Sequence, residues 1–206
     1  MVIAIDGPAA AGKSTVAQGV ARELGFDYLD SGAMYRAVAL LWLQDKERAP
    51  AQIARTARID PRAPVTASGR DVSAEIRTER VSQAASQLAA DAGVREALVQ
   101  TQRALIAHGD WVVEGRDIAT VVAPDAQLKV FLTAQDGERA RRRAAELGAD
   151  VAAVSEELAQ RDTRDRTREH SPLHPAPDAV VLDTTKLTPA QAIERIAALA
   201  RGILGR

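Results

Sequence analysis

The chain has 206 residues, nearly half of them hydrophobic and about a quarter charged, and a net charge of -1. That length suits one α/β domain with insertions and a sizeable core, and the balanced charge gives no global reason to expect polymeric nucleic acid as a partner. With no cysteine, disulfides, thiolate chemistry and cysteine-based zinc sites are excluded. Aromatic residues are scarce, so the core must be built from Ala, Val, Leu and Ile.

The start, Met1-Val2-Ile3-Ala4-Ile5, meets Asp6 at once, whereas a signal peptide would need a longer apolar stretch behind a basic start. No uncharged apolar run is long enough to span a bilayer. The expected location is the cytoplasm, with no membrane partner.

Val2 to Ile5 reads as a short buried parallel strand, being β-branched and followed by glycine. A helical pattern runs from about Lys13 to Leu24 and stops at Gly25. Tyr28-Leu29 is a second strand, and Ala33 to Leu43 is again helical. Between Asp45 and Ile76 the pattern is broken by Pro50, Pro61, Pro64 and Gly69, which suggests a small inserted lobe rather than a long loop. Helical signal returns from about Glu79 to Ile106, with a break expected near Ala92-Gly93. After a turn at Gly109-Asp110 come strands at Trp111-Val113 and Leu128-Leu132, then a basic helix over about Gly137 to Leu147.

A further helix, about Val154 to Thr167, leads into a loop carrying Pro172, Pro175 and Pro177. Ala179 to Leu182 is the fifth strand. The last helix opens with a capping box, Thr188 as cap, Pro189 first and Gln191 third, and Ile193, Ile196, Ala197 and Ala200 mark its buried face. Strands alternating with helices predict an α/β fold with a mostly parallel sheet covered on both faces.

Gly7-Pro8-Ala9-Ala10-Ala11-Gly12-Lys13-Ser14 fits the pattern G-x-x-x-x-G-K-S/T, between a strand and a helix as its mechanics require. Glycines let the backbone curl so that several N–H groups point at one place, and the following helix adds its positive end. Lys13 would reach the β- and γ-phosphates of ATP, and the Ser14 hydroxyl would ligate Mg²⁺. Thr15 completes the expected ATP-binding segment. GTPases, transport ATPases and small-molecule kinases share this loop, but no Asn-Lys-x-Asp guanine motif is present.

Asp30-Ser31-Gly32-Ala33-Met34-Tyr35-Arg36 follows the second strand. Ser31 could cap the next helix, and Arg36 is placed to grip a phosphate bidentately, although a plain helix start with a surface arginine would look alike. Glu114-Gly115-Arg116-Asp117 puts charged groups directly after a buried strand, at the ligand end of a parallel sheet. Arg161, Arg164, Asp165 and Arg168 recur at helical spacing on one face, which fits a lid closing over phosphates or a solvated salt-bridged stripe. Arg139, Arg141, Arg142 and Arg143 cannot all face one ligand and read mainly as surface. Ser86 and Arg95 alone would pass for ordinary helix residues. The histidines at 108, 170 and 174 are too scattered for a metal site, and Trp42 and Trp111 read as core.

Taken in order, the phosphate loop, Asp30 to Arg36, Ala85-Ser86-Gln87, Val94-Arg95-Glu96, Glu114 to Asp117, Arg161 to Arg168 and Asp178 to Asp183 resemble the bacterial cytidylate kinases over nearly the whole chain. The resemblance implies a P-loop NTPase-type three-layer fold with a five-stranded core, an inserted monophosphate-binding lobe at about 45–85 and a lid at about 155–175, all within one kinase domain. It implies transfer of the ATP γ-phosphoryl group to CMP or dCMP, with Mg²⁺; a monomer is expected. Ser86, Arg95 and Asp117 would then read cytosine. Ser31, Tyr35, Arg36 and Arg116 would lie near the acceptor nucleotide and its phosphate, Asp165 and Arg161 near the sugar. Lys13, Arg161, Arg164 and Arg168 would act in catalysis. A kinase for another small acceptor, or a nucleotide-dependent switch without transfer, would share the same loop.

Overall fold

A computed structural model of the chain describes residues 1–205. In chain order the elements are β1 (Val2–Asp6), α1 (Lys13–Leu24), β2 (Asp27–Asp30), α2 (Ser31–Gln44), α3 (Pro50–Thr56), β3 (Ile59–Asp60), β4 (Thr66–Ala67) and β5 (Arg70–Asp71). There follow α4 (Glu79–Leu88), α5 (Ala92–Leu105), β6 (Trp111–Gly115), β7 (Leu128–Thr133), α6 (Asp136–Leu147), α7 (Val151–Thr167), β8 (Val180–Asp183) and α8 (Pro189–Leu204). The chain divides into two compact units, one of Met1–Tyr28 with everything from Gly109 onward, the other Leu29–His108. The lobe expected at about 45–85 falls within the second.

The main sheet is five-stranded in the order β2-β6-β1-β7-β8 and has helices on both sides. β1 runs parallel to both neighbours, with Ile3 level with Val112 on one side and Leu128 on the other. Ile3, Ala4 and Ile5 are fully buried, as a central parallel strand must be when both faces are covered. α1 begins after Gly12 and ends at Gly25, both in the left-handed conformation, and the Gly25 N–H donates to the Ala21 carbonyl. Its apolar stripe, Val16, Ala17, Val20 and Ala21, shares one core with Ala192, Ile196 and Ala200 of α8 and with Ile5, Val130 and Leu132 of the sheet. Thr188 and Gln191 form the expected reciprocal capping box. Ile196, Ala197 and Ala200 are fully buried and Ile193 partly so.

A second cluster joins α6 and α7 through Ala140, Ala144, Val154 and Leu158, and it includes Ala9 of the phosphate loop. In the second unit α2 packs along α4 and α3 along α5, beside a small antiparallel sheet in the order β3-β4-β5.

One expectation about a helix start is corrected. The cap of α2 is Asp30, not Ser31: the Asp30 carboxylate accepts from the Ala33 N–H at 2.9 Å, and Ser31 is the first helical residue. The break expected near Ala92-Gly93 falls at residues 89–91, where the Asp91 carboxylate caps the Val94 N–H at 2.9 Å. Trp111 is buried, whereas Trp42 is only partly so and carries the Lys46 ammonium 5.3 Å above its ring. No described helix is long and apolar enough to cross a membrane.

Candidate active site

The segment from Gly7 to Gly12 bridges β1 and α1. Gly7 has φ +151°, and a Cβ there would lie 2.1 Å from the Leu132 carbonyl oxygen, so the loop can leave the sheet only through glycine. Ala10 has φ +57°, a left-handed residue without glycine's freedom. The loop's carbonyls are held from several directions. Lys13 Nζ donates to the Pro8 oxygen at 2.7 Å, Arg139 to the Ala9 oxygen at 3.0 Å, and the Thr184 hydroxyl approaches the Ala11 oxygen at 3.2 Å. Carbonyls engaged in this way leave the loop's N–H groups for an anion. Ser14 is partly buried and Thr15 exposed at the start of α1.

Lys13 is buried. Burial first, then Arg116 and Arg161, pushes its ammonium well below the ordinary lysine range, against the pull of Glu114 and Asp165. These five side chains therefore share one electrostatic neighbourhood. Arg116 Nε donates to Asp165 Oδ2 at 2.8 Å, which ties the end of β6 to α7. Burial works against ionising Asp165, but Arg116 outweighs it and the carboxyl lies below its usual range, with Arg161 and Arg168 acting in the same direction. Glu114 is buried and accepts from the Tyr28 hydroxyl.

On α7, Asp162 and Asp165 are buried and Arg161 and Arg164 partly buried, while Thr163, Arg166 and Thr167 are exposed. The stripe is thus an inward face and not the solvated one that the same spacing allowed. Arg168, just past the helix, is partly buried and donates through Nε to the Ser171 carbonyl. Asp117 is buried directly after Arg116 and precedes a wide helical turn, Ile118–Val122.

The second unit carries the other predicted residues. Arg36 Nη2 donates to Asp30 Oδ2 at 2.7 Å, and its Nε is buried with no hydrogen-bond partner among the described residues. Ser31 is buried and Tyr35 partly so. Ser86, on α4, is buried. Arg95, on α5, is 5 % exposed and donates to the Ala89 carbonyl at 3.3 Å, so it is no solvated face. Its neighbour Glu96 is solvated, its side chain 66 % exposed.

Three features escaped the sequence reading. Asp6, 2 % exposed at the end of β1, accepts from the N–H groups of Ile118 at 2.9 Å and Ala119 at 2.8 Å, and so fixes the turn behind Arg116 and Asp117. The available signal was a carboxylate ending a buried strand. Arg139, expected at the surface with its neighbours, is 3 % exposed and bound to the phosphate loop. Its register puts it between α6, α7 and the loop, whereas Arg141, one residue past Ala140, points into solvent. Thr184 is buried between Ala11 and Arg142, which donates to its hydroxyl at 3.1 Å and its carbonyl at 2.7 Å. The three histidines are exposed, and among the described residues no group of three His, Cys, Asp or Glu could hold a metal ion.

The chain is similar to several known proteins. The gluconokinase of Sinorhizobium meliloti 1021 superposes with a TM-score of 0.53 over 99 % of this chain and 94 % of its own, at 16 % identity, a likeness of fold alone. The cytidylate kinase of Solibacter usitatus (strain Ellin6076) is 46 % identical over 215 residues, covering 98 % of this chain and 92 % of that one. A bifunctional pantoate ligase/cytidylate kinase of Synechococcus sp. (strain JA-3-3Ab) is 47 % identical over 223 residues; the match takes in all of this chain, which spans 41 % of that relative's length. The family model described as cytidylate kinase matches residues 3–202. The phosphate loop, the charged end of β6 and the inward stripe of α7 thus sit in a chain that belongs to the cytidylate kinase family.

Proposed function

We propose that this protein transfers the γ-phosphoryl group of ATP to CMP or dCMP, giving CDP or dCDP and ADP. The observation that carries the reading is the built phosphate loop: its Pro8, Ala9 and Ala11 carbonyls are held by Lys13, Arg139 and Thr184, which leaves its N–H groups for an anion. The family supplies the nature of the acceptor.

The donor set suits Mg²⁺ arriving with ATP. Ser14 offers one hard oxygen, and a small cation that keeps waters and phosphate oxygens needs no protein cage. When bound, Mg²⁺ would neutralise charge on the β- and γ-phosphates.

The chain's own residues do the rest. The acceptor is a phosphate oxygen, already ionised near neutral pH, so no strong general base is needed, and catalysis is positioning plus charge stabilisation. Lys13 follows the migrating phosphoryl group, and Arg161, Arg164 and Arg168 reach it from the lid helix. In the first unit Arg116, steadied by Asp165, serves the acceptor phosphate; in the second Ser31, Tyr35 and Arg36 serve the acceptor nucleotide. The buried Nε of Arg36 supports this, since it lacks the acceptor that a phosphate would provide. Asp165 and Arg161 hold the sugar. Asp117, Arg95 and Ser86 read the base: cytosine presents an amine donor to a carboxylate and a ring-nitrogen acceptor to a guanidinium. A closed lid keeps water from taking the phosphoryl group.

The test is ADP formation from ATP and Mg²⁺ with CMP, dCMP, UMP, AMP and shikimate. CMP and dCMP are expected to lead by a wide margin. Faster turnover of another acceptor, or ADP release that ignores the acceptor, would overturn the reading.

A further inference from the structure

The guanidinium of Arg139 joins three elements. Nη1 donates to the Ala9 carbonyl of the phosphate loop at 3.0 Å, and Nη2 to Asp136 Oδ1 at 2.6 Å, at the start of α6. Nη2 also lies 2.7 Å from Asp162 Oδ2, on α7. Alongside, Ala9 packs with Ala140, Ala144, Val154 and Leu158, with Ala10 against them. The loop and the two helices therefore meet as one packed junction.

Stability does not account for this geometry. Arg139 Nε and Asp162 Oδ1 are buried and meet no hydrogen-bond partner among the described residues. A buried ion pair with unmet polar atoms is commonly matched or exceeded in stability by apolar residues of the same volume. What the pair supplies is direction. The C=O and N–H of a trans peptide point to opposite sides. Holding the Ala9 oxygen towards α6 turns the Ala10 N–H the other way, to the side where the loop would take an anion. Ala10 also has the left-handed conformation that such anion-binding turns use.

We propose that Arg139 is a positioning residue for the nucleotide polyphosphate: through Ala9 it aims the Ala10 amide, and through Asp162 it sets the register of the helix that carries Arg161 and Asp165. The proposal rests on the phosphate-loop reading of Gly7 to Ser14, and needs no particular acceptor. It separates two kinds of arginine in the basic helix. Arg141 and Arg143 pair with Glu138 and Glu146 near the surface and leave the loop alone, whereas Arg139 acts on the loop from behind without touching the ligand.

The experiment measures Mg-ATP binding by calorimetry, without acceptor, together with thermal melting. Its variants are Arg139→Met, Asp162→Leu and the pair combined. The double variant should melt no lower than wild type, since two buried charges are replaced by apolar volume. It should bind ATP about ten- to a hundredfold more weakly, the usual consequence of a misaimed preorganised group. In steady state the KM for ATP should rise and that for CMP stay near wild type, a split that general loosening of the fold would not give. The two single variants should not add, because each already releases the junction. A double variant that melts like wild type and binds ATP like wild type would overturn the proposal. Should the apolar variants fail to fold, Asp162→Asn decides, as it keeps the volume and removes the charge: weakened ATP binding is expected, and unchanged binding sinks the idea. Because ATP is titrated alone, a failure of CMP turnover in the acceptor panel leaves this test standing.

Discussion

Asp6 sits where its ionisation matters most. Burial pushes its carboxyl up to about 6 from an ordinary 3.8; the Ala119 and Ile118 N–H groups work against this, Asp117 adds to it and Lys13 opposes it. With its folded value above the unfolded one, the native protein binds more protons between those two pH values. Its contribution to stability is therefore full below about pH 4 and is lost as pH rises through about 6, to the extent of about 3 kcal/mol. Asp6→Asn cannot titrate. The melting temperature of wild type minus that of the variant should fall between pH 4 and 7, and a flat difference would show an ordinary carboxyl. A second residue-scale prediction concerns Asp117, placed directly after Arg116 and buried. Uracil would set a carbonyl against this carboxylate and an N–H against Arg95. An unmet buried polar group costs about 1–3 kcal/mol, more when charged, so two mismatches should suppress UMP by roughly a hundredfold. Asp117→Asn can donate to the uracil carbonyl and should narrow the CMP/UMP ratio of kcat/KM. An unchanged ratio in a folded variant would remove Asp117 from base reading.

At the scale of elements, two glycines show how closely the pieces approach. At Gly7 a methyl group would meet backbone, the Leu132 oxygen at 2.1 Å, and the φ of +151° is adverse besides. At Gly19 it would meet the tip of a side chain, Ile193 Cδ1 at 2.2 Å, which can rotate away. Gly7→Ala should therefore lower the melting temperature far more than Gly19→Ala, for which about 1–3 kcal/mol of overpacking is the expectation; the reverse order in thermal melts would refute the argument. The helices themselves were legible where a local signal fixes them. Gly25 ends α1 and the Thr188-Gln191 box opens α8, as read from the chain. The one misplaced helix cap has a local cause. An aspartate beside the expected residue takes it, Asp30 next to Ser31, because a carboxylate competes well for orphan N–H groups. Arg139 was illegible for a different reason. A contiguous basic run shows that only some members can face inward, but which one depends on where α7 and the phosphate loop lie, and no local pattern encodes that.

Over the whole molecule, the net charge of -1 says nothing of where the charges gather. The first unit concentrates Lys13, Arg116 and Arg161 around the phosphate loop; the second carries Arg36 and Arg95, both largely removed from solvent. Composition could not reveal this concentration, which arises only when β6, α1 and α7 converge. It also dictates how the lid arginines should behave. In the free protein Arg161 already presses on Lys13, and it acts on Asp165, which Arg116 holds. Bringing ATP to such a site relieves like-charge repulsion whether or not the phosphoryl group moves. The particular contribution of Arg161 and Arg168 should come when charge spreads over the migrating group and the bound acceptor. Interactions stronger in the transition state than in the ground state appear in kcat rather than in binding. Arg161→Ala and Arg168→Ala should each lower kcat by about 2.7–4 kcal/mol, the range for losing one preorganised donor, while ATP affinity measured by titration changes much less. If affinity collapses while kcat holds, these arginines bind the ground state, and the closing of α7 is not where the rate is made.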